Sequence, residues 1–178
     1  MTPLQKVAMG LVIVVLSARF GGYDALPDPV GWGLVVAGVW PLRARLPQGD
    51  YLVALAGLAL LLSVPLVLPA VEERLSASGQ WGVSVPQTVF CLLLSHSLAT
   101  LAERADEPKV AGRLRLLRTA YVAVLAGPVL VYGGGVDALA TPVAVLSVVA
   151  NVGLVYLTFS VSRRAYGRTE DTAPTGAG

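Results

Sequence analysis

Gly21-Gly22-Tyr23-Asp24-Ala25-Leu26-Pro27-Asp28-Pro29-Val30 returns 113 residues later as Gly134-Gly135-Val136-Asp137-Ala138-Leu139-Ala140-Thr141-Pro142-Val143, with seven of ten positions identical. The match extends over residues 21–39 and 134–152, with eleven identities in nineteen. Each copy lies between two apolar runs. A polar, glycine-rich turn between two apolar runs reads as the tip of a helical hairpin, and its recurrence reads as a duplicated hairpin. The polar turn is then the first place to look for function.

Outward from these turns the chain is poor in charge. It has 178 residues, 55% apolar and 13% charged, with a mean hydropathy of +0.71. A soluble domain carries about 25% charged residues. The charges that exist gather at 43–50, 72–74, 103–118 and 163–171, leaving long stretches between them nearly bare. That distribution predicts an all-α integral membrane protein. Six apolar segments follow: 5–20, 29–42, 51–70, 84–101, 116–133 and 139–162. The hydrocarbon core requires about 20 residues of helix, with a lower limit of about 17. Segments three to six meet it. The first two are short, and a re-entrant first hairpin is the alternative to two full spans.

The cations supply an independent test. With six spans and the N-terminus in the cytoplasm, the inner face holds Lys6, Arg43, Arg45, Arg104, Lys109, Arg113, Arg115, Arg118, Arg163, Arg164 and Arg168. The outer face holds Arg19 and Arg74. Eleven against two follows the positive-inside rule. Removing any one middle helix would destroy the alternation. The fold expected is therefore three antiparallel hairpins, 5–42, 51–101 and 116–162, in one bundle over 1–168, N-in and C-in. Residues 169–178 form a polar tail expected to be disordered. Lys6 and the apolar run after it resemble a signal peptide. However, Arg19 and Phe20 follow and no small-residue cleavage site appears, so an uncleaved first helix is expected.

Asp28-Pro29 and Thr141-Pro142 each pair a side-chain acceptor with a proline. This is the pattern of an N-cap followed by proline at the first helical position. Gly22 and Pro29, Gly79 and Pro86, and Gly135 and Pro142 share one spacing, which suggests that the middle hairpin is a third, fainter copy. Gly33-x3-Ala37 and Ala123-x3-Gly127 have the spacing that lets helices approach closely, within the bundle or between protomers. Pro65, Pro69 and Pro128 fall within spans and free carbonyls there. Trp32, Trp40 and Trp81 fall near the expected interfaces, as an aromatic belt.

Few residues carry chemistry. Asp24, Asp28 and Asp137 lie at the outer mouth, with Arg19 beside them. If the hairpins pack symmetrically, Asp24 and Asp137 converge and attract a cation or a small amine. Otherwise Asp28 caps a helix and the other two stabilise their own turns. His96, in Ser95-His96-Ser97, is an ionisable group within a span and a functional candidate by position. A hydrogen bond to a neighbouring helix would also explain it. Gln87 and Asn151 are candidates for interhelical hydrogen bonds. The single Cys91 forms no internal disulfide and no metal pair, and with one histidine in the chain a His/Cys metal site is excluded. A Ser-His pair without a placed acid is no triad, so no catalytic residue and no cofactor is expected. No basic patch interleaved with aromatics points to nucleic acid. Arg113 and Arg115 precede the fifth apolar segment, Arg118 falls near its start, and all three serve topology or anionic headgroups.

Asp24-Ala25-Leu26-Pro27-Asp28-Pro29-Val30-Gly31 resembles an Asp-x-Leu-Pro-Asp-x-(Val/Ile)-Gly motif of small bacterial multi-pass membrane proteins of unknown function. There too it follows a first helix and opens a second. The resemblance covers about thirty of 178 residues and implies a bacterial plasma-membrane location, with no activity attached. The positions it carries over are Asp24, Pro27, Asp28 and Gly31. The second copy has Ala140 and Thr141 in place of Pro27 and Asp28. Three functions follow from these readings. The first is a small transport or channel-like protein with an acidic outer mouth. The second is a non-catalytic accessory subunit that binds a membrane partner or lipid, and a homo-oligomer through the small-residue faces is an expected assembly. The third is an intramembrane enzyme acting on a lipid or prenyl substrate, although no acid sits mid-span to serve it.

Overall fold

The computed structural model describes residues 1–17, 28–66 and 76–164. Among them every regular element is helical. The helices are α1 (Pro3–Ser17), α2 (Asp28–Val39), α3 (Gly49–Leu66), α4 (Ala77–Arg104), α5 (Pro108–Pro128) and α6 (Ala140–Ser162). A 3-10 turn, Trp40–Leu42, extends α2. A π turn, Val129–Gly133, extends α5, and a second 3-10 turn, Asp137–Leu139, leads into α6. Four helical stretches are long and apolar enough to cross a membrane: Gly49–Leu66, Trp81–Arg104, Pro108–Val131 and Ala140–Ser162. The first two helices are apolar but shorter, as their segments indicated.

The helices form a closed ring in chain order. Each packs on the next, and α6 returns to pack on α1. Successive helices alternate in direction, so the turns at 43–48 and 105–107 share one end of the bundle. The turn at 134–136 lies at the other. Arg43, Arg45, Arg104, Lys109, Arg163 and Arg164 all sit at helix ends on the first side, which is called here the cationic end. The best-packed part of the core lies toward that end. It includes Leu4, Val7, Leu94, Leu98, Ala102, Leu114, Leu154 and Val161, all buried. One aromatic pair reaches across the ring: Trp32 on α2 meets Phe90 on α4 edge-on, with centroids 5.4 Å apart.

The α1–α2 hairpin is packed backbone to backbone. A Cβ on Gly31 would stand 2.9 Å from the Gly10 carbonyl oxygen, and one on Gly38 would stand 2.7 Å from the Pro3 carbonyl oxygen. Closest approach thus uses Gly31 and Gly38, which lie seven residues apart on one face of α2. Gly33 meets nothing within 4 Å and Ala37 is exposed, so the Gly33-x3-Ala37 spacing is not the contact face. On α5, Gly127 does pack closely, against the Val143 side chain, while Ala123 is exposed.

Hydroxyls inside the bundle mostly satisfy themselves locally. Ser63, Ser95, Thr158 and Ser162 each donate to a carbonyl of their own helix at 2.8 Å. Ser97 is different: its Oγ donates to the Pro47 carbonyl at 2.6 Å and ties α4 to the 43–48 turn. That turn also uses Gln48 at φ +60°, a left-handed conformation that costs a non-glycine residue energy. Ser97→Ala is expected to remove about 1 kcal/mol of stability. Denaturation in mixed micelles reads that loss, and protease nicking at Arg43 or Arg45 is expected to rise with it.

Several sequence expectations are corrected. α6 begins at Ala140, and its N-cap is Leu139 with no side-chain cap, because the preceding 3-10 turn feeds directly into the helix. Thr141 therefore lies inside the first turn and does not cap it. The Gly-x6-Pro echo also has no common structural meaning. Pro86 lies ten residues into α4, whereas Pro29 and Pro142 stand in the first turns of α2 and α6. The two copies of the repeat are not packed alike. Val35 and Val39 are fully buried, whereas their counterparts Val148 and Val152 are 45% and 50% exposed. Nor does Trp32 belong to an aromatic belt, being buried against Phe90. Trp40 is exposed, with the Arg43 guanidinium 4.5 Å from its ring centroid. α5 begins at Pro108, eight residues before the apolar segment from which it was expected, so Arg113 and Arg115 lie within the helix along with Arg118.

Candidate functional site

Away from the cationic end, α4, α5 and α6 separate around a cavity of about 280 Å³. A single water needs roughly 10–15 Å³ measured in this way, so the space holds more than a structural water. From α4 it is lined by Trp81, Ser84, Gln87, Thr88 and Cys91, spaced three or four residues apart on one face of the helix. From α5 come Tyr121, Val124 and Pro128. From α6 come Ala140, Val143, Ala144, Ser147 and Asn151. Not one lining side chain is charged. The lining is a band of amide and hydroxyl groups set among apolar walls.

The floor of the cavity is ordered by one hydrogen bond. The buried Tyr121 hydroxyl donates to Asn151 Oδ1 at 2.9 Å. This fixes the amide so that Asn151 keeps its NH₂ for another partner. The Cys91 thiol is buried beside the same hydroxyl. Gln87 stands one turn above Cys91 on the same face and is half-buried.

The walls are also where the helices are interrupted. Pro86 has no N–H, so the Gly82 carbonyl loses its helical donor one turn up. Pro128 does the same for Val124, itself a lining residue, and the chain then widens into the π turn. Discontinuous helices with freed carbonyls at membrane depth are tolerated where they line a cavity. The second copy of the repeat supplies the rim. Gly135, at φ +66°, makes a turn that favours glycine, and the Asp137–Leu139 3-10 turn ends on Ala140 of the lining.

Of the residues singled out in the sequence, Gln87 and Asn151 meet at this cavity. Arg19 and Asp24 lie outside the described residues, as do the side chains of Asp28 and Asp137 and the 169–178 tail. His96 is not part of the cavity. It is half-buried nearer the cationic end, with Nδ1 3.3 Å from Arg118 Nη1. No three His, Cys, Asp or Glu side chains gather as metal ligands among the described residues. The sequence reading missed Tyr121 and Trp81 as site residues. The signal that pointed to them was the pair of prolines, Pro86 and Pro128, one in each apolar segment. The chain matches no protein-family model, no curated protein and no solved structure.

Proposed function

We propose that this is a multi-pass membrane protein, N-in and C-in, whose outward-lying cavity receives a small polar solute for transport. The observation that carries this reading is the convergence of Gln87, Tyr121 and Asn151 on one uncharged cavity. Hydrogen-bonding groups are costly at membrane depth unless they are matched. Three helices that part around such groups, two of them giving up a backbone bond as well, support a ligand in the space between them. The chemistry of the lining favours a hydroxyl, amide or amine compound over an anion. Tyr121 and Trp81 offer aromatic faces, and the amides offer both donors and acceptors. An acidic mouth at Asp24, Asp28 and Asp137 would concentrate amines at the entrance. The Asp-x-Leu-Pro-Asp motif supports a bacterial plasma membrane as the location.

The test is solute entry into proteoliposomes, followed by light scattering, with glycerol, urea and ethanolamine as probes. Entry of at least one is expected to be several-fold faster than in empty vesicles, and Gln87→Leu with Asn151→Leu is expected to abolish the gain. Equal rates with and without protein for all three solutes would defeat the proposal. A second reading, self-association, rests on Gly33 and Ala37 facing away from the bundle. A mass measurement in detergent that gave a monomer would remove it.

A further inference from the structure

The cationic end contains one arginine that its position in the helix does not explain. Arg115 bonds Glu103 through Nε and Nη2, at 2.8 and 2.6 Å, and Arg164 pairs with Glu107. Both acids at the α4–α5 turn that form ion pairs are thereby occupied. Arg118 lies ten residues into α5, about 15 Å along the axis from Pro108. Among the described residues no carboxylate lies within ion-pair distance of it. Its hydrogen-bonding partner is His96 Nδ1, at 3.3 Å. An imidazole that accepts at Nδ1 carries its proton on Nε2 and contributes no negative charge. The guanidinium has five N–H donors in a planar fork, and this contact uses one of them. Two helices thus hold a half-buried guanidinium, with donors to spare, deeper in the bundle than the paired arginines. One turn further along the same face Val122 is 52% exposed, so apolar surface adjoins the charge. A phosphate with acyl chains attached matches both features. The fork binds the phosphate bidentately, and the chains lie on the α5 surface.

We infer that Arg118, oriented by His96, binds the phosphate of an anionic phospholipid in the leaflet at the cationic end. This site is separate from the solute cavity and does not depend on it. Full-length protein in nanodiscs is titrated with phosphatidylglycerol and with phosphatidylcholine of the same acyl chains, and bound lipid is counted by native mass spectrometry. The wild type is expected to prefer phosphatidylglycerol, and Arg118→Gln is expected to lower that preference about five- to tenfold. Arg113→Gln removes the same charge from an exposed position of the same helix. It is expected to leave the preference within about twofold, as a surface charge contributes only to the general field. His96→Leu is expected to give a partial loss. Inorganic phosphate is expected not to displace the lipid. The inference is overturned if the wild type shows no headgroup preference, or if Arg113→Gln and Arg118→Gln lose it equally. It is also overturned if inorganic phosphate displaces phosphatidylglycerol, because the site would then take a soluble anion. Should Arg118→Gln fail to fold, Arg118→Lys decides. It keeps the charge without the fork and is expected to lose most of the preference.

Discussion

Replacing Gly10 with alanine is expected to open the α1–α2 hairpin and to cost about 3 kcal/mol or more of stability. The added methyl would overlap the Gly31 carbonyl oxygen and lie 2.9 Å from the Val35 amide nitrogen. Both are backbone atoms, so no rotamer change relieves the clash, and the helices must move apart. Separation would also strip Val7, Leu11 and Val14 from Val35 and Val39, which are all buried now. Association of helices within a bilayer relies on close van der Waals packing, because lipid already solvates apolar side chains. Losing close approach therefore removes the main source of stability. Gly33→Ala is the matched control. Its Cβ meets nothing within 4 Å, and alanine is the better helix former, so it is expected to be neutral or slightly stabilising. Unfolding of both variants in mixed micelles checks the pair. Equal losses would show that glycine matters at these positions for reasons other than contact.

The same hairpin shows what could be read in the sequence and what could not. The number and order of the six helices follow from the charge gaps and turn residues, and the first two were recognisable as short. The face each helix presents was not readable. α2 is apolar all round, with Gly31 and Gly38 on one side and Gly33 on another, so composition offers no stripe to orient it. The small-x3-small spacing pointed to Gly33 and Ala37, while packing chose Gly31 and Gly38. Trp32 misled for the same reason. A tryptophan near a helix end fits an interface belt as well as it fits a core, and Phe90 decided between them. The start of α5 was placed too late because the reading followed hydropathy. Pro108 at the first position and two amphipathic turns carry the helix eight residues further back. That shift put Arg113 and Arg115 inside the helix, ahead of the position where Arg118 faces His96. For the cavity, Gln87 and Asn151 were legible one by one as buried amides. Their meeting required the register of α4 against α6, which no local pattern encodes.

Phe90→Ala is expected to lower stability by about 3 kcal/mol and to enlarge the solute cavity toward α2. Phe90 is fully buried, and its ring edge makes the contact with Trp32 that bridges the bundle from α2 to α4. The cost is the lost burial of the ring together with the contacts its neighbours forfeit around the space left behind. Cys91, the next residue, lines the cavity, so the vacated volume lies behind the α4 wall of that cavity. Phe90→Leu fills most of the space and is expected to cost less than about 1.5 kcal/mol. The functional consequence separates packing from chemistry. Phe90→Ala keeps Gln87, Tyr121 and Asn151, so, on the proposed function, the variant is expected to pass a larger hydroxylated probe, such as erythritol, faster than the wild type. Solute entry and micelle unfolding measured on the same preparation check both parts. A variant destabilised as expected but unchanged in solute size would mean that Trp32 collapses into the vacated space, closing the cavity off from α2.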